Sequence, residues 1–171
     1  MIKSNDIDKK TVVFLKYISI DRLSDFEFHD VKITLDSFIN NRLTVKANFL
    51  NIHKSAEQNP FQTDMEIESA RITFEGFQII SYEPGRAWKK DEKGDHSSNE
   101  PQVILFDDEA HRLFLMQLEK GFTIFDFNIK EGKTYFIDAT SSDPFFTVCF
   151  TLDRVIIAWD DYQKEAWYTS C

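Results

Sequence analysis

The sequence contains few cysteine, glycine and proline residues. Its 171 residues include two cysteines, five glycines and four prolines, where average usage gives roughly 12 glycines and 9 prolines for this length. Cys149 lies within an apolar run, which is typical of a buried thiol and not of a disulfide or a nucleophile. No cysteine or histidine pair has zinc-site spacing, and no glycine pair has the spacing of a nucleotide-binding loop. We therefore predict no cofactor, no metal and no catalytic residue.

Long hydrophobic runs are also missing. A membrane-spanning helix requires roughly 20 consecutive apolar residues, and the longest candidate, residues 11–20, is interrupted by Lys16. Residues 1–6 lack the apolar segment and the cleavage site of a secretory signal. Together with the low cysteine content, these absences predict a cytoplasmic protein that does not enter a membrane.

Positive charge is scarce, since 20 basic residues face 29 acidic ones and the net charge is −9. Binding to nucleic acid requires clustered lysine and arginine. The basic residues between positions 86 and 93 are interrupted and followed by acids, which excludes such a cluster. An acidic surface favours a basic partner protein, because opposite charge speeds the encounter of two proteins.

What the sequence does contain is a strong β-pattern in one domain, residues 1–171. Hydrophobic residues make up 42% of the chain, and 17 residues are phenylalanine. Residues 43–49 alternate between apolar and polar side chains, as half-buried strands do. Residues 147–152 alternate in the same way, with Thr147, Cys149 and Thr151 on one face and Val148, Phe150 and Leu152 on the other. We predict an all-β fold with a minor helix at most, arranged as an antiparallel two-sheet sandwich or a barrel-like sheet.

The segment between positions 103 and 129 reads as a meander. Residues 103–106 are predicted to form a strand, and residues 107–110 a polar turn. A second strand follows through Leu113, Leu115 and Gln117, and a third covers residues 122–129. Residues 112–118 can also form a helical turn, because leucine and methionine favour helices. The β-prone neighbours favour the strand.

An internal match at a constant offset of 85 residues suggests a duplication. The alternation slips by one position between Ile67 and Ala70, and again between Leu152 and Val155, which requires a bulge or a turn in each copy. We predict two similar β-units, residues 26–82 and 103–168, joined by a polar loop, residues 83–102. The aligned apolar positions are Met65, Ile67, Ala70, Ile72, Phe74 and Phe77 with Phe150, Leu152, Val155, Ile157, Trp159 and Tyr162.

The chain ends in a cluster of large aromatic residues interleaved with acids. Tryptophan and tyrosine dominate the energetically important positions of protein interfaces. The same residues are also typical of a last strand and a short helix that cover the edge of a core, which is the favoured interpretation. The candidate binding residues are Trp159, Asp160, Asp161, Tyr162, Trp167, Tyr168 and the acidic group Asp107, Asp108 and Glu109.

The stretch Phe28-His29-Asp30-Val31-Lys32-Ile33, followed by the alternating residues 43–49, resembles small acidic β-rich bacterial proteins. Some of these are similar to the immunity proteins of polymorphic toxin systems. The resemblance implies a cytoplasmic, non-enzymatic protein that binds and blocks a cognate toxin. His29 and Asp30, if both lay on a strand, would point to opposite faces, so a structural role is favoured over a catalytic pair.

The primary hypothesis is a soluble protein-binding domain, in its sharpest form an immunity-like inhibitor of a basic partner protein. One alternative is a small-molecule-binding protein or hydrolase with a pocket between the two units. Its motivation is the abundance of phenylalanine, together with the His29–Asp30 pair and the loop at residues 83–88. The other alternative is a structural module of a larger assembly. The sequence leaves the oligomeric state open.

Overall fold

The computed structural model describes residues 15–86, 89–98, 100–130, 132–141 and 145–170. Its backbone consists mainly of strands, with one α-helix, α1 (Asp107–Lys120), and two 3₁₀ helices, Leu23–Asp25 and Trp167–Ser170. The strands are β1 (Tyr17–Ile20), β2 (Phe26–Glu27), β3 (Lys32–Ile39), β4 (Arg42–Asn48), β5 (Asn51–Ile52), β6 (Met65–Ile67), β7 (Ala70–Glu75), β8 (Gln78–Pro84), β9 (Lys89–Lys90), β10 (His96–Ser97), β11 (Phe122–Lys130), β12 (Thr134–Thr140), β13 (Phe146–Thr151), β14 (Arg154–Trp159) and β15 (Tyr162–Glu165).

Two antiparallel sheets form the body of the molecule. The larger sheet has nine strands in the order β1-β14-β7-β4-β3-β11-β12-β13-β8, and the smaller has four in the order β15-β6-β5-β2. Within the described residues the edge strands β1 and β8 do not pair with each other, so the larger sheet is not closed into a barrel. This architecture confirms the predicted all-β, sandwich-like class with a minor helix.

The alternating side chains place one face of each long strand in a shared aromatic core. Leu43, Val45 and Ala47 of β4 are buried, as their period-two spacing predicts. Phe77 lies at the centre of the core, with its ring centroid 5.9 Å from that of Phe114 and 5.0 Å from that of Phe150. Rings of this size dominate the hydrophobic stabilisation of a small core.

The helix α1 corrects the predicted meander. Residues 107–110 are not a turn and Leu113, Leu115 and Gln117 are not in a strand, because α1 covers all of them. The buried residues Ala110, Phe114 and Leu118 recur every four positions and pack one helical face against the larger sheet. The predicted strand at residues 103–106 is also wrong, since only Leu105 pairs there, in a single bridge to Tyr82. The third strand is confirmed as β11.

Residues 65–84 and 146–165 run antiparallel to each other along their whole length. β6 pairs with β15, β7 with β14, and β8 with β13. The strands break between β6 and β7 and between β13 and β14, at the two places where the sequence alternation slips. The first strand of each segment therefore pairs with the last strand of the other, and the two middle strands pair with each other. The duplication itself stays a prediction.

The segment at residues 83–102 contains regular structure at its start and in its middle. β8 continues to Pro84, and β9 and β10 form a short hairpin with His96 opposite Lys90. Trp88, in the polar loop of the sequence prediction, lies outside the described residues. No helix among the described residues has the length and hydropathy that a transmembrane span requires.

Candidate functional site

Trp159, the first residue of the predicted aromatic cluster, belongs to the core. Its side chain is fully buried, its ring stacks on Tyr17 at 5.5 Å, and it meets Phe26 edge-on at 5.8 Å. A partner at the surface has no access to this ring. Trp159 therefore belongs to the core on which the following segment packs.

Asp160 and Asp161 form the turn between β14 and β15. The Asp160 carboxylate accepts a hydrogen bond from the backbone N–H of Lys16 at 2.8 Å, and the Asp161 carbonyl accepts one from the N–H of Glu68 at 3.1 Å. Tyr162 is half-buried, and its hydroxyl donates to the Gln58 carbonyl at 2.7 Å. The turn is thus fixed at the surface, with the side chain of Asp161 exposed.

Trp167 and Tyr168 lie at the other end of β15, in the 3₁₀ helix Trp167–Ser170. The pairing of β15 with β6 brings Ala166 beside Asp64, and the Ala166 N–H donates to the Asp64 carbonyl at 2.9 Å. The helix then places the Tyr168 hydroxyl 3.0 Å from the Asp64 carboxylate. The Trp167 side chain stays 49% exposed. These two residues, and not the acidic turn, border a cleft.

Asp107, Asp108 and Glu109 occupy the first turn of α1 and are exposed. Negative charge at this end complements the helix dipole. The ring of His111, one turn further on, lies 4.9 Å from that of Phe38, so this end of α1 is near the Ile39 end of β3. The helix ends before Phe122, which pairs with Ile33. The acidic turn of α1 therefore lies at the end of β3 opposite the cleft.

The cleft has a volume of about 410 Å³. Its residues come from both predicted units: three belong to residues 26–82 and four to residues 103–168. It combines carboxylates, two imidazoles and three aromatic side chains. The residues that line it are Glu27, His29, His53, Phe125, Asp126, Trp167 and Tyr168.

Asp64 lies beside the cleft and holds the residues of one wall in place through hydrogen bonds. Its carboxylate accepts hydrogen bonds from His53 Nδ1 at 3.0 Å, from the Lys54 backbone N–H at 2.7 Å and from the Tyr168 hydroxyl at 3.0 Å. Burial raises the pKa of Asp64, but these three hydrogen bonds and the nearby His53 outweigh it, so the pKa lies below its ordinary value. Because ionised Asp64 can only accept hydrogen bonds, His53 donates its Nδ1 proton to it. Nε2 is the ring nitrogen that this contact does not use.

The same carboxylate acts on Tyr168. Burial raises the pKa of the Tyr168 hydroxyl well above its ordinary value, and the hydrogen bond and the negative charge of Asp64 raise it further, with a smaller contribution from Glu27. Tyr168 therefore stays a neutral hydrogen-bond donor. The loop that carries His53 is held by Asn59, whose Nδ2 donates to the carbonyls of His53 at 3.3 Å and Thr63 at 3.0 Å.

On the opposite wall of the cleft, His29 lies in a turn, and its side chain bonds to a β-bulge in β11. Its Nδ1 lies 2.6 Å from the carbonyl of Phe125 and so donates to it, at the point where the register of β11 against β12 shifts. His29 and Asp30 form a turn before β3, with Asp30 at φ +66°, and His29 Nε2 lies 3.7 Å from the Asp30 carboxylate. The two side chains are close because they are not on a strand. The Trp167 ring centroid lies 6.2 Å from that of His29.

Sequence reasoning singled out Trp167, Tyr168 and His29 but missed Glu27, His53, Asp64 and Asp126. No motif links His53 with Asp64 eleven positions later, and the polar clamp Asn59 reads as an ordinary loop residue. Among the described residues, no group of three or more histidine, cysteine, aspartate or glutamate side chains is arranged to hold a metal ion. The chain matches no protein-family model, no curated protein and no solved structure.

Proposed function

We propose that this protein binds a second protein with a basic surface, and that the cleft beside Trp167 is part of the contact surface. The observation that carries the proposal is the half-exposed Trp167 ring at a cleft that also presents the carboxylates of Glu27 and Asp126. Tryptophan is among the residues most enriched at energetically dominant interface positions. An aromatic face and carboxylates together suit the cationic side chains of lysine and arginine.

The overall charge supports the same partner chemistry. With a net charge of −9, the protein attracts a basic protein from a distance and repels nucleic acid. The most specific form of the proposal is an immunity-like inhibitor that acts in the cytoplasm. Such a protein acts by occupying its partner's surface, so it needs a rigid and complementary face and no catalytic group.

The experiment measures binding of the purified products of the genes that adjoin this one, by calorimetry. We expect one basic product to bind, and Trp167→Ala to weaken that binding by about 10- to 30-fold, the typical loss for a dominant interface residue. The matched control is Ile39→Ala. Ile39 is also exposed but lies at the far end of β3, roughly 20 Å along the strand from Lys32.

Two results would contradict the proposal. One is unchanged affinity of Trp167→Ala, provided that urea unfolding shows this variant to be folded. The other is that none of the neighbouring gene products binds. A loss of affinity in Ile39→Ala equal to that in Trp167→Ala would show that the loss is not specific to the cleft.

A second candidate function is favoured by one observation, the His53–Asp64 pair beside the cleft. A carboxylate that fixes the proton on Nδ1 leaves Nε2 able to accept a proton from water, as a general base does in hydrolysis. In this alternative the cleft binds a small molecule whose carbonyl the water attacks. The proton then passes from His53 to the leaving group.

The hydrolase alternative is tested with an activated nitrophenyl ester. It predicts hydrolysis above the buffer rate by the wild type, and loss of that excess in His53→Gln. The control is His111→Gln, because His111 lies on α1 against Phe38 and away from the cleft. Equal rates for the wild type and His53→Gln would exclude this function.

A further inference from the structure

Strand β11 has an open edge over its second half. β3 pairs with β11 only at Phe122 and Thr123, and the chain before β3 extends the contact to Ile124 through backbone hydrogen bonds with Asp30 and Val31. From Asp126 to Lys130, β12 is the only strand beside β11 among the described residues. In a strand paired on one side, alternate residues direct their N–H and C=O groups to the open side.

A groove follows this open edge. Its middle is a cavity of about 250 Å³ between residues 23–28 and β11. Through Leu23, Ser24 and Ile129 it joins a second cavity of about 310 Å³, which Asp21 and Asp153 also line. Through Glu27 and Asp126 it joins the cleft beside Trp167. The three cavities are therefore neighbours, and each is lined by at least one residue of β11.

The side chains of the groove combine an apolar floor with acidic walls. Phe28 and Phe127 stack with ring centroids 4.7 Å apart and form part of the floor. Ile129 adds an exposed apolar side chain, with 57% of its surface accessible. One lysine, Lys133, offsets the acids at one end. The carboxylates that line the three cavities are Asp21, Glu27, Asp126 and Asp153.

We propose that this groove binds an extended, basic segment of the partner protein, which pairs with residues 126–130 of β11 as an added strand. The inference rests on the proposed function and names the way in which the partner binds. An added strand supplies the backbone groups that the open edge lacks, while alternate side chains reach the floor and the walls. Its cationic side chains meet the four carboxylates and the Trp167 ring.

Charge decides between this occupant and a second copy of the chain. A second copy brings its own net charge of −9 to an acidic groove, so the two copies repel each other. A basic segment has the complementary charge. Strand pairing supplies affinity through the backbone, and the acids select for lysine and arginine over acidic residues.

The test uses the hexapeptide Lys-Val-Lys-Val-Lys-Val, blocked at both ends, and the full chain labelled with ¹⁵N. We expect the peptide to shift the amide resonances of residues 126–130 and to slow their hydrogen exchange. Two further peptides carry N-methyl groups on the lysines or on the valines, which removes the N–H donors of one edge of the added strand. At least one of these should bind more than tenfold more weakly. A Glu-Val hexapeptide should not bind.

A matched pair of variants tests the position. Ile129→Lys adds a positive charge in the groove and should weaken hexapeptide binding about tenfold, whereas Ile39→Lys, at an exposed isoleucine of the distant β3 end, should change it less than twofold. Three results would overturn strand addition. These are equal binding of all three lysine peptides, shifts confined to residues outside the groove, and equal affinity of the two variants.

The outcome separates this inference from the proposed function. If a neighbouring gene product binds through Trp167 while the hexapeptide leaves residues 126–130 unshifted, strand addition is wrong and the proposed function stands. If the hexapeptide docks on β11 but no neighbouring basic protein binds, the proposed function is wrong and the groove still recognises extended basic chains.

Discussion

Ile72 and Ile157 are direct cross-strand partners at the centre of the β7–β14 pair. They are 85 positions apart, which is the offset of the internal sequence match, and both are fully buried. On each side of this pair, residues at equal distances along the two segments also face each other. Two units related by a twofold axis would place their equivalent isoleucines in this way, with the axis passing between them.

This relationship predicts equal costs for equal changes on the two strands. Ile72→Val and Ile157→Val each remove one methyl group from an equally buried side chain, so each should lower the free energy of unfolding by about 1 kcal/mol. Because the side chains are cross-strand neighbours, the double variant should deviate from the sum by about 0.5 kcal/mol or more. Urea unfolding of the three variants measures these changes.

The control for this prediction is Ile39→Val, at an exposed position, which should change the free energy of unfolding by less than about 0.5 kcal/mol. Costs at Ile72 and Ile157 that differ by more than about 1 kcal/mol would show that the two positions are not equivalent. The twofold arrangement would then be limited to the backbone pairing.

The second prediction concerns the pH dependence of stability at Asp64. Its pKa is lowered in the folded protein, so the interactions of its ionised form stabilise the fold above the pKa of the unfolded chain, near 4. That stability is lost as the pH falls through the lower, folded pKa. Asp64→Asn should therefore be less stable than the wild type by about 1 kcal/mol at pH 7.

The difference should shrink below about pH 4, because protonated Asp64 resembles the asparagine. Urea unfolding between pH 7 and pH 2.5 checks it, with exposed Asp161→Asn as the control. A constant difference between the wild type and Asp64→Asn at every pH would mean that the charge of Asp64 does not stabilise the fold.

Several strands could be predicted from the sequence because burial acts on one face of each. Residues 43–49 alternate since Leu43, Val45 and Ala47 point into the core, and β4 covers nearly the same positions. α1 was not recognised because Leu113 and Leu115 are half-buried flanks of the helix. Their alternate spacing imitates a strand, whereas the buried helical face contains only Ala110, Phe114 and Leu118.

The cleft could be predicted only in part. Trp167 and Tyr168 stand out by composition, and His29 by its neighbours. His53 and Asp64 come together only because Asn59 clamps their loop and because the β15–β6 pairing delivers Tyr168 to the same carboxylate. Such contacts depend on tertiary pairing and leave no periodic trace in the sequence. For the same reason, nothing in the sequence shows where β3 and β11 separate.

The third prediction concerns the ionisation of Tyr168. Its pKa is raised by burial and by the hydrogen bond and charge of Asp64. Removal of that charge should stabilise the tyrosinate, so Asp64→Asn should lower the pKa of Tyr168 while burial still holds it above the ordinary value of about 10. NMR of ring-labelled tyrosine follows this titration, with Tyr168→Phe to assign the signal. An unchanged or higher pKa in Asp64→Asn would contradict the role of the Asp64 charge.

The last prediction separates the acidic turn of residues 160–161 from the cleft. Strand β15, which is roughly 13 Å long, lies between the turn and the 3₁₀ helix that carries Trp167. A charge at that distance from the contact acts mainly on the encounter of the two proteins. We therefore expect the double charge reversal Asp160→Lys with Asp161→Lys to slow association with the basic partner roughly threefold at low salt, with little change in dissociation. Trp167→Ala should instead speed dissociation.

Stopped-flow or surface-based kinetics at two salt concentrations measures both rates. The effect of the reversal should fade at high salt, where the Debye length shortens to about 3 Å at 1 M. Asp160 also accepts a hydrogen bond from the Lys16 backbone, so urea unfolding of the double variant must show that it remains folded. The control is the pair of substitutions Glu92→Lys and Asp95→Lys at exposed positions between β9 and β10, which changes the net charge by the same amount. If it slows association as much as the double reversal does, the net charge of the molecule steers the partner and the acidic turn has no particular part in it.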